Sequence, residues 1–514
     1  MKHLFLLNTI FINIVFVDIC YGISFDENSP EVAKMSDLYI DLGKALPVTS
    51  FPISDREFVE VAKALEPYAD DEQLNSIHAL IDPLLSQSSD YAFFPRGNVT
   101  LDATATFAKS LPTGGTEGTD GLEDLKAYLR KEPFLYGGLG VDHPLRGFAY
   151  IDIEARERYR QTNPDFNLPL DKAGGSWTWQ VEDHDVKHGV IAFFQDDFDI
   201  WIGRDKNQYG PSKSSLICDP DVPYLDSVRF EYYAGPFTLS YRLSTLDNRQ
   251  AVSDVTPVEP YAFMQNTILN TVHRFQYAGS NFEVAITGEQ FVVRPQNSFQ
   301  VTDMLPVISW HNADIMPNNM SLIFDVSGTP LPGLKLAAQV GFDDIDGNVV
   351  GIHDDDTPTV DAEIISMSIP RFLGLYVELG HTHYLWGSFD DDVAMARAIY
   401  RVPLMGGTQA IPMTSPYGPG SVWAHVETTK AVNKSISVGS AVELIGKKDN
   451  DNLFDTNYAR SSTLASEGYR MTVNGKISIV YKKDHWAASA APGVRIESSG
   501  LYPSAEISST YSLN

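Results

Sequence analysis

The chain has 514 residues, with 67 acidic against 38 basic side chains and a formal charge of −29. That balance excludes nucleic acid as a partner and weakens any direct grip on acidic polymers unless cations bridge the two. Its two cysteines are Cys20 and Cys218; the first falls in a segment that reads as removed on export, so no intrachain disulfide is expected.

That segment comes first. Lys2 and His3, the apolar run Leu4 to Val17 and the small-residue end Ile19-Cys20-Tyr21-Gly22 read as a secretory signal peptide over residues 1–22. The run falls short of the ~20 residues a spanning helix needs, and it contains Asn8 and Asn13. No later segment has eighteen continuous apolar residues. If the protein crosses a membrane, it does so with strands.

Residues 23–90 predict a small helical element. Ser54 and Glu57 form a capping box, Ile53 and Phe58 sit at staple positions, and Phe58, Val61 and Leu65 repeat at helical spacing. A second helix is predicted from Asp70 to Leu85, with Leu74, Ile77, Leu80, Ile81 and Leu84 on one stripe and Pro83 near its end. The polar stretch 86–89 reads as a linker.

From residue 91 to 514 the period is two. Val99, Leu101, Ala103 and Ala105 alternate with polar residues, as do Phe282, Val284 and Ile286, and Leu334, Leu336, Ala338, Val340 and Phe342. In GPFTLSYRLSTLD, Phe237, Leu239, Tyr241 and Leu243 share one face and Thr238, Ser240, Arg242 and Ser244 the other. Period two alone does not say which face meets water, since a soluble sandwich and a membrane barrel both alternate. The connections discriminate. Short turns near 234–236, 278–281, 327–333, 370 and 430–434 alternate with long polar stretches near 247–270, 294–319, 343–361, 386–420 and 446–468. Tight turns at one end and long loops at the other predict an all-β fold: a large antiparallel up-and-down transmembrane β-barrel. The last stretch alternates Leu501, Ala505, Ile507, Tyr511 and Leu513 to the terminus, as a closing strand would. About 420 residues, at roughly 23 to 26 per strand with its share of connections, give about 16 to 18 strands around a wet lumen. Phe237, Leu239, Tyr241 and Leu243 are then expected to face lipid and Arg242 the interior.

No GxSxG, HExxH, phosphate loop or paired CxxC is present, and no enzymatic activity is expected. His184 and His188 in EDHDVKH, and His381 and His383, are read as polar strand ends or loops; a transition-metal site would need further ligands at a defined spacing. Asp343, Asp344 and Asp346, with the runs 354–356 and 390–392, form acidic loops that could bridge Ca²⁺, although 344–347 lacks the first ligand and closing Glu of a calcium loop. No other cofactor is implied. Trp201, Tyr232, Tyr233, Tyr241, Tyr384 and Trp386 are read as interfacial girdle residues, with sugar stacking as the alternative.

Residues 198–241, FDIWIGRDKNQYGPSKSSLICDPDVPYLDSVRFEYYAGPFTLSY, resemble the signature of the capsule-assembly (Wzi) family. In that signature a strand ending in Gly-Arg leads to an aromatic-Gly-Pro loop, then to an aspartate, an aromatic strand and a Gly-Pro-Phe hairpin. HRFQY at 273–277, Glu289 after its alternating strand, and LKLAAQVGFDD at 334–344 extend the resemblance over about half of the barrel. It implies a large outer-membrane barrel of about 18 strands with helical material at its base, holding surface polysaccharide as a lectin. The partners implied are outer-membrane lipid and that polysaccharide. Strand phase marks Arg229, Arg242, Glu283, Glu289 and Lys335 as interior candidates. Arg204 and Tyr209 join them from the best-matched loop and His273 from the HRFQY strand. The same residues would serve simply to keep a water-filled interior polar. A porin-like channel for small polar solutes and an exported soluble adhesive β-protein are the alternatives.

Overall fold

A computed structural model describes residues 24–27, 29–85, 92–106, 120–131, 133–143, 146–157, 159, 170–173, 176–179, 188–247, 266–295, 298, 300, 303, 318–344, 359–387, 398–404, 407–448, 468–483, 485–498 and 500–513. The expected signal peptide, the linker 86–89, His184 and the acidic runs 354–356 and 390–392 lie outside them.

Eighteen strands close into one antiparallel barrel. In chain order they are β1 Ala92–Thr106, β2 Leu135–His143, β3 Gly147–Ala155, β4 Gly189–Phe194, β5 Phe198–Asp205, β6 Leu225–Ala234, β7 Phe237–Leu246, β8 Asn266–Ala278 and β9 Phe282–Pro295. There follow β10 Asn318–Leu331, β11 Leu334–Asp344, β12 Val360–Ile369, β13 Leu375–Thr382, β14 Ser421–Ala431, β15 Ile436–Lys447, β16 Arg470–Lys483, β17 Trp486–Glu497 and β18 Gly500–Leu513. Each strand pairs with its chain neighbours, and the seam joins Ser504–Leu513 of β18 to Gly97–Thr106 of β1. Closure matters because an open edge would leave unpaired backbone groups in hydrocarbon.

The outer wall is apolar. Phe237, Leu239, Phe275, Ile286, Phe324, Val326, Leu336, Ile365, Leu379, Ile477, Leu501 and Ile507 are exposed on it, a continuous belt that a water-facing surface would not carry. Two residues of the expected lipid face depart from it. Tyr241 and Leu243 point outward by register yet are buried with Leu269 and Val292. The chain beyond β9 covers them: Tyr241 Oη donates to the Asp303 carbonyl at 2.7 Å, and Arg294 pairs with the Asp303 carboxylate at 2.6 Å. Covering neutralises an outward arginine that lipid would not tolerate.

Among the described residues four α-helices accompany the barrel: α1 Pro30–Asp41, α2 Asp55–Lys63, α3 Asp71–Leu85 and α4 Asp120–Arg130. Ser54 caps α2 through the Glu57 N–H as the capping box requires. Helix α1 begins at Ser29 with Pro30 in its first turn and buries Val32, Met35 and Tyr39 at helical spacing. Together α1, α2 and α3 share one apolar core with Phe25, Val48, Phe51 and Ile53. They sit at the short-turn end: the Gly333 N–H donates to the Ile40 carbonyl at 2.7 Å, the Ala45 N–H to Ser280 at 3.3 Å, and Arg371 pairs with Asp41 at 2.7 Å. Helix α4 corrects the expectation of unbroken period two after residue 90. It occupies the long connection from β1 to β2, and Leu122, Leu125 and Tyr128 form its buried stripe.

Candidate functional site in the barrel lumen

The inward positions of the wall are set by register, and the chain itself fills much of the space they enclose. Residues 206–224, between β5 and β6, fold down into the lumen. There Gln208–Tyr209 pair with Ser50–Phe51 of the N-terminal element, and the Gly210 N–H donates to the Thr49 carbonyl at 2.8 Å. Gly210 has φ +112°, and a Cβ there would lie 2.1 Å from Gln339 Nε2 on the wall. Only glycine lets the backbone approach so closely. A hairpin, Ile399–Leu404 with Gly407–Pro412, enters from the long loop after β13. These segments bury Tyr209, Leu216, Ile217, Cys218, Ile399 and Ile411 against inward Val272, Phe291, Ile323 and Ile364. On this side the expected wet lumen is replaced by an apolar core.

The sequence candidates divide by face. Arg229, Arg242, Glu283, Glu289 and Lys335 all point inward, where each meets the plug or a neighbour that holds it. Arg229 donates to Glu231 at 2.8 Å and lies over the Trp201 ring at 5.3 Å. Arg242 donates to Asn270, which in turn donates to Glu289 at 2.8 Å, and its guanidinium lies 5.1 Å from the centre of the Tyr209 ring. Glu283 accepts from Thr49 at 3.1 Å and from Ser327 at 3.1 Å, and Lys335 donates to the Pro211 carbonyl at 2.9 Å. Tyr209 is fully buried in the plug. Arg204 and His273 are on the outer face instead. Arg204 forms a two-point pair with Asp226 at 2.7 and 2.9 Å beside Tyr224, and His273 packs against Tyr241 at 5.0 Å.

Residues missed from sequence complete the grip. Arg274 is buried between Asp325 and Glu283, and also donates to Thr49 at 2.7 Å and Thr287 at 2.9 Å. Arg56 of α2 pairs with Asp199 at 2.8 Å. Strand phase would have found Arg274, two residues from inward Val272 in β8. The girdle reading is corrected at three positions: Trp201, Tyr233 and Trp386 point inward and are enclosed by the lumen, whereas Tyr232 is exposed on the wall. Trp201 shares its phase with Asp199, which already marked it as inward.

Of the acidic-loop candidates, Asp343 accepts from Ser321 at 2.9 Å and from the Gly387 N–H at 2.9 Å, so it fixes the turn after β13. The Asp344 side chain and Asp346 lie outside the described residues. Among the described residues the set with metal-ligand spacing is Asp361, Glu363 and His381, whose ligand atoms lie within 4.8 Å of one another on the outer wall.

The upper part of the plug carries a titratable lock. Asp221 takes Lys126 at 2.8 Å and Arg130 at 2.6 Å, both from α4. Burial opposes its ionisation, yet the two cations hold its carboxyl well below the usual range. Asp219 is pushed up to about 7 by burial and then by the charge of Asp221, and one of its oxygens meets no partner among the described residues. Between the ordinary Asp value of 3.8 and about 7 the docked plug therefore holds a proton that the released loop does not, so docking weakens as pH rises through that window. The Asp221 contribution has the opposite sign: complete above the ordinary value, it is lost as pH falls below it. Protease resistance of 206–224 should be higher at mildly acidic pH than above neutrality. Asp219→Asn should flatten the difference; a wild type equally resistant at both would refute the assignment.

The plug does not fill the lumen evenly. On β16, β17 and β18 the inward side chains stay wet: Lys476 and Glu506 pair at 2.5 Å with side chains 45% exposed.

No family model and no curated protein matches the sequence. Solved structures do match in fold. One is Wzi, an outer-membrane protein involved in group 1 capsule assembly in Escherichia coli and described as a carbohydrate-binding β-barrel. It superposes with a TM-score of 0.58 at 10% identity, over 95% of this chain and 99% of that one. OprD of Pseudomonas aeruginosa follows with a TM-score of 0.40 at 6% identity, over 82% and 95%, and OccD3 (OpdP) of the same organism with 0.41 at 8%, over 81% and 91%. With its closed antiparallel wall and apolar belt, the chain is an outer-membrane β-barrel with the fold of Wzi.

Proposed function

We propose that this barrel binds cell-surface polysaccharide and helps to retain or assemble it, acting as a holder rather than a catalyst. The observation that carries the reading is the occupied lumen: the chain's own segments 206–224, 399–404 and 407–412 take up space that a solute channel keeps open. Helices α1 to α3 stand at one mouth. The likeness to a carbohydrate-binding barrel supports it further. A glycan array with detergent-purified protein, run with and without Ca²⁺, tests it; absence of retention on any polysaccharide in both conditions would defeat it.

The wet sector along β16 to β18 favours a second reading, a narrow solute path beside the plug. Conductance in planar bilayers separates the two. The holder predicts little steady current in the intact protein and a rise when residues 24–85 are deleted. The channel predicts stable stepwise current in the intact protein, cation-selective because an acidic surface concentrates cations at the mouth.

A further inference from the structure

The long-loop ends of β12 and β13 bring an imidazole and two carboxylates together on one patch of the outer wall. Glu363 and His381 are direct cross-strand partners, and His381 Nδ1 lies 3.0 Å from the Glu363 carboxylate. Asp361 stands two residues from Glu363 on the same face, as strand periodicity requires. All three side chains are half-buried, and their ligand atoms lie within 4.8 Å of one another. Their neighbours on the flanking strands are apolar: Phe342 and Val340 of β11 pair with Asp361 and Glu363, and Val422 of β14 with His381. One outward position further along the same two strands, Ile365 and Leu379 are already exposed members of the apolar belt. Two carboxylates side by side at the edge of that belt repel each other. Among the described residues no lysine or arginine pairs with either, and the Asp361 carboxylate accepts no hydrogen bond.

We propose that Asp361, Glu363 and His381 bind one zinc-like divalent ion, a clip across the rim of the wall. The donor set decides the class: an imidazole nitrogen beside two carboxylate oxygens suits zinc, whereas calcium and magnesium take oxygen ligands alone. Tetrahedral zinc holds its ligand atoms at about 2.0 to 2.2 Å, which sets them about 3.3 Å from one another, so a modest rotamer adjustment closes the present spacing. The strand ladder fixes the three Cα positions in advance, and the ion balances both carboxylates. Three protein ligands leave a fourth position, open outward, for water. His383 is not part of the set. Its N–H donates to the Asp361 carbonyl at 2.9 Å, but its ring packs on Tyr384 at 4.2 Å and its Nδ1 accepts from the Leu385 N–H at 3.3 Å. Because β12 follows one long connection and β13 precedes the next, the bound ion ties together the roots of both.

The test uses tag-free full-length protein in detergent, stripped with a chelator, dialysed against Zn²⁺ and assayed for bound metal by mass spectrometry. His381→Gln and Asp361→Asn should each bind one equivalent less than the wild type, or hold that equivalent roughly tenfold or more weakly. His78→Gln, which removes an exposed histidine paired with Asp82 at 3.3 Å on α3, should lose none. Zinc should also raise the unfolding midpoint of the wild type more than that of Asp361→Asn. Both wall substitutions face outward, and a heat-modifiable gel band checks that the barrel has closed. Asp361→Asn breaks no hydrogen bond among the described residues, so its effect reports the ligand rather than a lost contact. Wild-type stoichiometry and affinity in His381→Gln or in Asp361→Asn overturns the three-ligand site. An equal loss in His78→Gln overturns its placement on the wall, and displacement of the zinc by equimolar Ca²⁺ overturns the metal class.

Discussion

Replacing Arg274 with alanine should destabilise the folded barrel by about 3 to 5 kcal/mol, because two buried carboxylates lose their counter-charge at once. Glu283 and Asp325 share that single guanidinium, and all three side chains are fully shielded from water. The loss comes mainly from the two stranded anions, not from the contacts removed. Arg274→Ala combined with Glu283→Gln and Asp325→Asn should therefore recover most of it, the amides needing only hydrogen bonds. Urea unfolding in detergent gives the comparison. Additive losses across the three substitutions would mean that the cluster is not coupled. The site also touches Thr49, so the single variant should loosen the N-terminal segment and raise bilayer current if that segment blocks the path.

Ile507→Arg is expected to cost about 2 to 4 kcal/mol, while Ser508→Arg, one residue on, should be mild. Ile507 is 61% exposed at the middle of β18 on the apolar wall. Ser508 points into the wet sector opposite Ser489 and Asp102, where a long cation can reach water. The same contrast does not hold on β7. Leu239 is exposed to lipid, but Ser240 is buried and donates to Glu231 at 3.0 Å, so arginine there would collide with the plug's anchorage. Equal damage at 507 and 508 would argue against a lipid face.

These two contrasts show what sequence could supply. The wall was legible because strand alternation is local: Leu501, Ile507, Val284 and Leu336 follow from period two and need no knowledge of the rest of the molecule. The alternation of turn and loop lengths added the sense of the barrel. The plug was not legible. Nothing in the local pattern of residues 206–224 says that this loop folds inward, and an inward arginine has the same pattern whether it meets water or a folded-in segment. Arg229, Arg242 and Glu283 were therefore found, but their partners were not. Helix α4 was missed because its 3.6-residue stripe is short and lies between two strands.

The pairing of Gln208–Tyr209 with Ser50–Phe51 joins a segment that hangs from the long-loop rim to one that is continuous with helix α2 at the other mouth. A load applied to 206–224 from outside is therefore shared: part passes through the two-residue clasp to the helices, and part into the wall, where Lys335 holds the Pro211 carbonyl and Glu378 holds Ser214. The plug is in this sense a rod pinned along its length to the sleeve as well as to the helices beyond it, so pulling on the outer rim strains wall and clasp together.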